Sequence, residues 1–240
     1  QATAASTSGL PLFVSGAERP AVAGAAVTDL ALRDSLVRFS PTAGPFTVVA
    51  DSGIAAGIRV AGSLRRLALA WVLQSPRLLS RGAVPPASRI LWRRAVVERL
   101  ERYAPFARFG VPYALVADGR LLWLAAGYVR APAFPLSILA SWRGEPVRYL
   151  RAGFVGVVDA HSGETAVFLL EPGDPIAAAW ARLAPDIVRP GDRLPLEVRE
   201  HVRYPVELFH LQVALLLRDT SAGLPVLPAR RGPGIGPGAT

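Results

Sequence analysis

Two stretches, Tyr113-Ala-Leu-Val-Ala-Asp-Gly-Arg-Leu-Leu-Trp-Leu-Ala-Ala-Gly-Tyr128 and Phe154-Val-Gly-Val-Val-Asp-Ala-His-Ser-Gly-Glu-Thr-Ala-Val-Phe-Leu169, decide the fold. Each sets apolar runs on either side of a turn. In the first, Asp118-Gly119 is the turn, because glycine accepts the positive φ that a tight primed hairpin needs. In the second the chain turns near Ser162-Gly163. The flanking runs are rich in β-branched and aromatic residues, which pack well on a pleated surface. The stretch from Val111 to Leu170 therefore predicts two β-hairpins, about 111–129 and 153–170, joined by an apolar link. Four such strands make a sheet large enough to carry a core.

Working outward, helical segments flank the hairpins and predict an α+β domain over 46–220. Phe46-Thr-Val-Val-Ala50 predicts a strand. Ser63 is a candidate N-cap for a helix from Leu64 to about Gln74, with Leu64, Leu67, Ala68 and Trp71 spaced as one helical face. Pro76 stops it. A second helix is predicted from Ser88 or Trp92 to Tyr103, with Val96, Val97, Leu100 and Ala104 opposite its charges. Asp174-Pro175 is a strong helix start, with Pro185 beyond its end. Residues 186–195 predict a Pro-rich connector. Tyr204-Pro205 opens a last helix to about Arg218, with Leu208, Phe209, Val213 and Leu216 as its stripe. Residues 1–45 predict an extended segment, and 221–240 a Gly/Pro-rich tail without means of packing on itself.

Composition narrows the chemistry. The 240 residues contain neither Cys nor Met, which removes disulfides and thiol catalysis. The small polar start, Gln1 to Gly9, predicts a mature end left by a removed leader. All 27 basic residues are Arg, and the net charge is +9. The local clusters Arg65-Arg66, Arg93-Arg94 and Arg230-Arg231 are candidate contacts for lipid headgroups or an acidic protein partner. Nucleic acid is not an expected partner, because no dense basic stripe interleaves with stacking aromatics. No apolar run reaches the roughly 18–20 residues that span a bilayer.

No constellation predicts catalysis. Ser162, Ser141, His201 and Asp159 are raw material for nucleophilic chemistry, but no G-x-S-x-G elbow presents a serine. His161, His201 and His210 lack ligand spacing, so no metal is expected. Glu164, Glu171 and Asp174 are three carboxylates better read as a solvated loop. The glycines of 232–238 have neither the strand, the helix nor the Lys of a phosphate loop, so no cofactor is expected. His201-Val-Arg-Tyr-Pro205 is predicted to be structural: Tyr204 packs, Pro205 sets the first helical turn, Glu207 complements the helix dipole and Arg203 pairs with a carboxylate such as Asp159.

A collinear set of segments carries a family resemblance. It comprises Gly62-Ser-Leu-Arg-Arg-Leu-Ala-Leu-Ala70, Arg77-Leu-Leu-Ser80, Ser88-Arg-Ile-Leu91, Val97-Glu-Arg-Leu100 with Ala104-Pro-Phe106, Val111-Pro-Tyr113 and Asp118-Gly-Arg-Leu-Leu-Trp123 with Tyr128. It continues through Tyr149-Leu-Arg151, Val157-Val-Asp-Ala160 with Gly163, Asp174-Pro-Ile176, and His201-Val-Arg-Tyr-Pro-Val-Glu-Leu-Phe209 with Gln212. Over roughly Thr47 to Asp219 the chain resembles the UPF0182 family of bacterial membrane proteins. Only the family's soluble extracytoplasmic region is resembled, not its transmembrane helices. Three places depart from the family pattern: Ala126-Gly127 before the Tyr, Gly153-Phe154 after the Tyr-Leu-Arg segment, and the thinner acidic run Glu171-Pro-Gly-Asp174. The family brings no activity to carry over.

With Asp118, Gly119, Asp159, Gly163, Arg203, Tyr204 and Pro205 read as structural, the expectation is a non-enzymatic subunit. It would sit peripherally on the extracytoplasmic (periplasmic) face of an integral membrane protein complex, for instance a respiratory or photosynthetic one. The alternative is a periplasmic ligand-binding or enzymatic module, with a site between the sheet and the last helix near Tyr204 and Asp159.

Overall fold

A computed structural model describes residues 36–50, 57–80, 84–85 and 88–220, together with the backbone of 3–5 and 11–12. The short ladder of Thr3–Ala5 on Pro11–Leu12 belongs to neither of the sheets below. In chain order the remaining elements are β1 (Phe46–Ala50), β2 (Ile58–Arg59), α1 (Ser63–Val72), β3 (Ser88–Trp92), α2 (Val96–Tyr103), β4 (Arg108–Phe109), β5 (Tyr113–Ala117) and β6 (Arg120–Ala131). They continue with β7 (Ala140–Trp142), β8 (Glu145–Val147), β9 (Tyr149–Asp159), β10 (Thr165–Leu169), α3 (Pro175–Leu183), β11 (Val188–Arg189), α4 (Leu196–Arg199) and α5 (Val206–Thr220).

The two predicted hairpins form the centre of the main sheet. Its order is β11-β10-β9-β6-β4, and β5 also pairs with β6. All pairings are antiparallel except β10 with β11. Asp118 and Gly119 have φ of 49° and 69°, the positive pair that a type I′ turn requires. β6 and β9 are long and buried on both faces, so the sheet is covered on both sides. One layer contains Phe39, Leu100, Phe109, Val129, Phe154 and Val167 from the sheet, α2 and the segment before β1. The other contains Leu124, Val155, Phe168, Leu194 and Val198, under α4. The fold is α+β.

Gly156 has a packing reason. A Cβ there would lie 2.5 Å from Leu100 Cδ2, so glycine lets α2 sit directly on β9. Val37 and Phe39, read from sequence as part of an extended segment, pack into this core. The Trp123 indole donates to Phe39 O at 2.9 Å, and the Arg38 and Phe39 amides donate to Ala160 O.

Several local expectations are corrected. Ser88–Trp92 is a strand, not the start of a helix; β1-β3-β2 form a separate three-stranded antiparallel sheet. Gly62, not Ser63, occupies the N-cap position of α1. The link between the hairpins contains a third hairpin, β7–β8, turning at Arg143 (φ 52°) and Gly144 (φ 80°). The connector 186–195 contains β11 and a 3₁₀ turn, Gly191–Arg193. Of the stripe predicted for the last helix, Leu208 alone is buried; Phe209 and Leu216 are exposed. Among the described residues, no helix is long and apolar enough to cross a membrane.

Candidate functional site

α1 turns the expected amphipathic stripe the wrong way. Leu64 is 82% exposed and Trp71 78% exposed, with Leu67 and Val72 also in solvent, while Leu69 (8%) and Ala70 (6%) face the core. Leu69, Ala70 and Leu78, the last in a 3₁₀ turn over Pro76–Leu79, pack with Val60, Val84 and Ile90 over the β1-β3-β2 sheet. Leu79, in the same 3₁₀ turn, is also exposed. The result is a Leu/Trp face with no covering element among the described residues.

That face belongs to an unusually charged segment. Residues 52–97 contain eight arginines, at 59, 65, 66, 77, 81, 89, 93 and 94, and no Asp or Glu. With 27 arginines and 18 carboxylates in the chain, this segment carries +8 of the net +9. Arg65 and Arg66 donate to the carbonyls of Arg59 and Val84 at 3.4 and 2.9 Å. Arg93 stacks over Trp92 with its Cζ 4.6 Å from the ring centroid, and Arg94 donates to Arg38 O at 2.7 Å. Burial pulls Arg94 below the usual arginine value. These partners are neutral carbonyls and an indole ring. Arg230 and Arg231 lie outside the described residues. The pairs Arg65-Arg66 and Arg93-Arg94 were visible as motifs. The decisive signal, the absence of acids between them, was also in the sequence but emerges only when carboxylates are counted by segment.

The second feature is a groove of about 420 Å3 between the main sheet and the start of α5. Its lining includes Ala126, Arg151, Phe154, Glu171, Arg203 and Tyr204. A β-bulge in β9 interrupts the register with β6 between Arg151 and Phe154, both of which line it. Such bulges redirect side chains beside functional surfaces. Tyr113 anchors one wall: its hydroxyl donates to His201 O at 3.2 Å and accepts from the Arg203 amide at 3.1 Å. Burial pushes the Tyr113 phenol up, against the Arg203 amide and guanidinium. The three departures from the resembled pattern converge here, since Ala126, Phe154 and Glu171 all line the groove.

The structure corrects two expectations at this place. Tyr204 does not pack; it is 58% exposed and its hydroxyl donates to Gln212 Oε1 at 2.7 Å. Arg203 does not pair with Asp159; its guanidinium stacks on Tyr113, 5.0 Å from the ring centroid. Asp159 is instead at the far end of β9, so Tyr204 and Asp159 do not share a site. The Asp159 carboxylate accepts from Arg120 Nε at 2.8 Å and from the His161 and Ser162 amides at 2.9 and 2.7 Å. Burial works against this carboxylate, yet the Ser162 amide and Arg120 hold its pKa below the usual range. Gly163 closes the turn at φ 72°, and the ring of Phe39 fills the space a Cβ would need. Pro205 O accepts from the Phe209 amide, which starts α5. Glu207 is bound by Arg143 at 2.7 and 2.9 Å and by the Trp142 indole at 3.1 Å, which ties the third hairpin to α5. Asp174 caps α3 by accepting from the Ile176 and Ala177 amides, and it accepts the Tyr149 hydroxyl. Among the described residues no three carboxylate or imidazole side chains cluster as metal ligands.

The uncharacterised protein family UPF0182 matches residues 52–218. The chain is 35% identical to a UPF0182 protein of Parasynechococcus marenigrum over 174 residues, covering 68% of this chain and 19% of the relative. It is 35% identical to one of Syntrophobacter fumaroxidans over 158 residues (65% and 18%) and 32% identical to one of Bradyrhizobium diazoefficiens over 160 residues (66% and 17%). The chain thus spans about a fifth of the length of the curated relatives it matches. No solved structure matches it.

Proposed function

The chain belongs to the UPF0182 family, and from its surfaces we propose that it is a non-enzymatic docking subunit. It is held peripherally, on the extracytoplasmic side, against an acidic face of an integral membrane protein complex. The observation that carries this is the Leu64–Leu67–Trp71 face of α1, exposed inside a segment of eight arginines and no carboxylates. An exposed apolar face rimmed by charge is the usual mark of an interaction surface. Trp and Arg are the residues on which interface energy concentrates. The surrounding arginines steer an acidic partner and fix its register, while the apolar face supplies the desolvated centre. The extracytoplasmic placement follows the family resemblance.

The test is a photo-crosslinking amino acid placed at Leu64 or Trp71, compared with the same group at Leu196, an exposed apolar position on α4. Crosslinks from the α1 positions to an integral membrane protein, and none from Leu196, are expected. Crosslinks only to soluble proteins, or equal ones from all three positions, would overturn the proposal.

A further inference from the structure

The loop between β6 and β7 is apolar, strained and open to solvent. Residues 131–142 contain no charged side chain. Phe134, Ile138 and Leu139 are exposed, and Leu136 is 109% exposed, so no described residue covers it. Leu136 also has φ of 52°, in a turn with Pro135, where the backbone favours Gly or Asn. A leucine held in that conformation and in water serves neither the turn nor the core, and such strain collects at functional surfaces. The loop's polar groups are meanwhile reduced or closed off. Pro132 and Pro135 have no N–H. The Ser137 hydroxyl donates to Phe134 O at 2.7 Å, and Ser137 O accepts from Arg148 Nη1 at 2.6 Å. Phe134 packs on Tyr149, ring centroids 4.7 Å apart, which fixes one side of the loop to the main sheet.

We propose that this loop dips into the surface of a lipid bilayer, with Leu136 at its tip. Lipid takes apolar side chains without a complementary pocket and penalises unsatisfied backbone groups. The loop offers the first and has closed the polar groups named above against the second. A protein partner for the same tip would need a preformed pocket and would not call for that closure. Arg130 and Arg143, which bound the uncharged run, pair with Glu145 and Glu207. Arg148, at the foot of the loop, has no carboxylate partner among the described residues and stands where a headgroup phosphate would lie. A loop this small gives at most the marginal, reversible partition of a single acyl chain. It therefore orients a protein that α1 holds and does not hold it alone; from docking through α1 the proposal takes only that a membrane is at hand.

Because the chain has no Cys, Leu136→Cys takes a single nitrobenzoxadiazole label, and Leu196→Cys on α4 is its control. Phosphatidylcholine vesicles are the probe, since they offer no net charge to the arginines. The label at 136 should shift to the blue on vesicles and be quenched by a nitroxide near the head of the acyl chain; at 196 it should stay in water. In the unlabelled full chain, Leu136→Asn should lower vesicle partition about tenfold, the worth of burying one leucine. Its melting temperature should be at or above that of wild type, because Asn accepts positive φ. Ile138→Ser should lower partition in the same direction, and Leu64→Ser/Leu67→Ser/Trp71→Ser should partition as wild type does. No shift at 136, an equal shift at 196, full partition by Leu136→Asn, or loss of partition in the α1 variant would each overturn the proposal. The first three leave docking through α1 untouched; the last would make α1 itself the lipid contact.

Discussion

Asp159 is the side chain on which the second hairpin closes. It accepts two loop amides and the Arg120 guanidinium while almost wholly buried. Asp159→Ala is expected to cost about 2 kcal/mol, mainly through the orphaned amides, because the half-exposed Arg120 makes the ion pair itself weak. Its folded pKa lies below the unfolded value of about 4. The stabilisation is therefore complete above about pH 4 and fades as pH falls through the folded value. Denaturation of wild type and variant across that range should show the gap narrowing in acid. At the alkaline end, burial and Glu207 push Tyr128 up to about 12, and burial and the Asp174 bond do the same to Tyr149. Both phenols stay protonated in the folded state while the unfolded chain ionises near 10, so stability falls between about pH 10 and 12. An ultraviolet titration should show two tyrosines ionising only near pH 12. The turn role of Asp118-Gly119 was legible because positive φ has a residue signature. The partners of Arg203 and Asp159 were not, since a long side chain chooses them in three dimensions; nothing local tells Arg203 to stack on Tyr113.

At the scale of elements, α1 shows where pattern reading stops. Its sequence is apolar nearly all round, interrupted by Arg65 and Arg66, so periodicity marks a helix but not its buried side. The small sheet decides, taking Leu69 and Ala70 and leaving Leu64 and Trp71 outside. Leu64→Gln and Trp71→Gln should each change unfolding free energy by no more than about 0.5 kcal/mol. Leu69→Ala should cost about 2–5 kcal/mol. Urea titrations of the three variants would show it, and equal costs would return the stripe to the core. Ser88–Trp92 was misread for the related reason that a short buried apolar run has no period to separate strand from helix. The third hairpin escaped because its turn uses Arg143 at positive φ, a residue without turn preference. It is held instead by tertiary contacts: Trp142 on Tyr128 at 5.1 Å, and Arg143 on Glu207.

For the whole molecule, the main sheet and the small Arg-rich sheet divide the labour. The main sheet, with α2 and α3 against it, is the larger core. The segment around the small sheet carries nearly all the net charge and displays an apolar helix face. The α+β class followed from the hairpin stretch, where turn chemistry and strand composition agree. The exposed apolar face of α1 did not, because it depends on which side of α1 the small sheet covers. The claim that this face holds the protein to a membrane complex is tested most directly by fractionating cells that make wild type or the Leu64→Ser/Leu67→Ser/Trp71→Ser variant. Wild type should sediment with membranes and the variant should stay in the supernatant, with unchanged melting temperatures. Wild type in the supernatant, or the folded variant still in the membrane pellet, would contradict it.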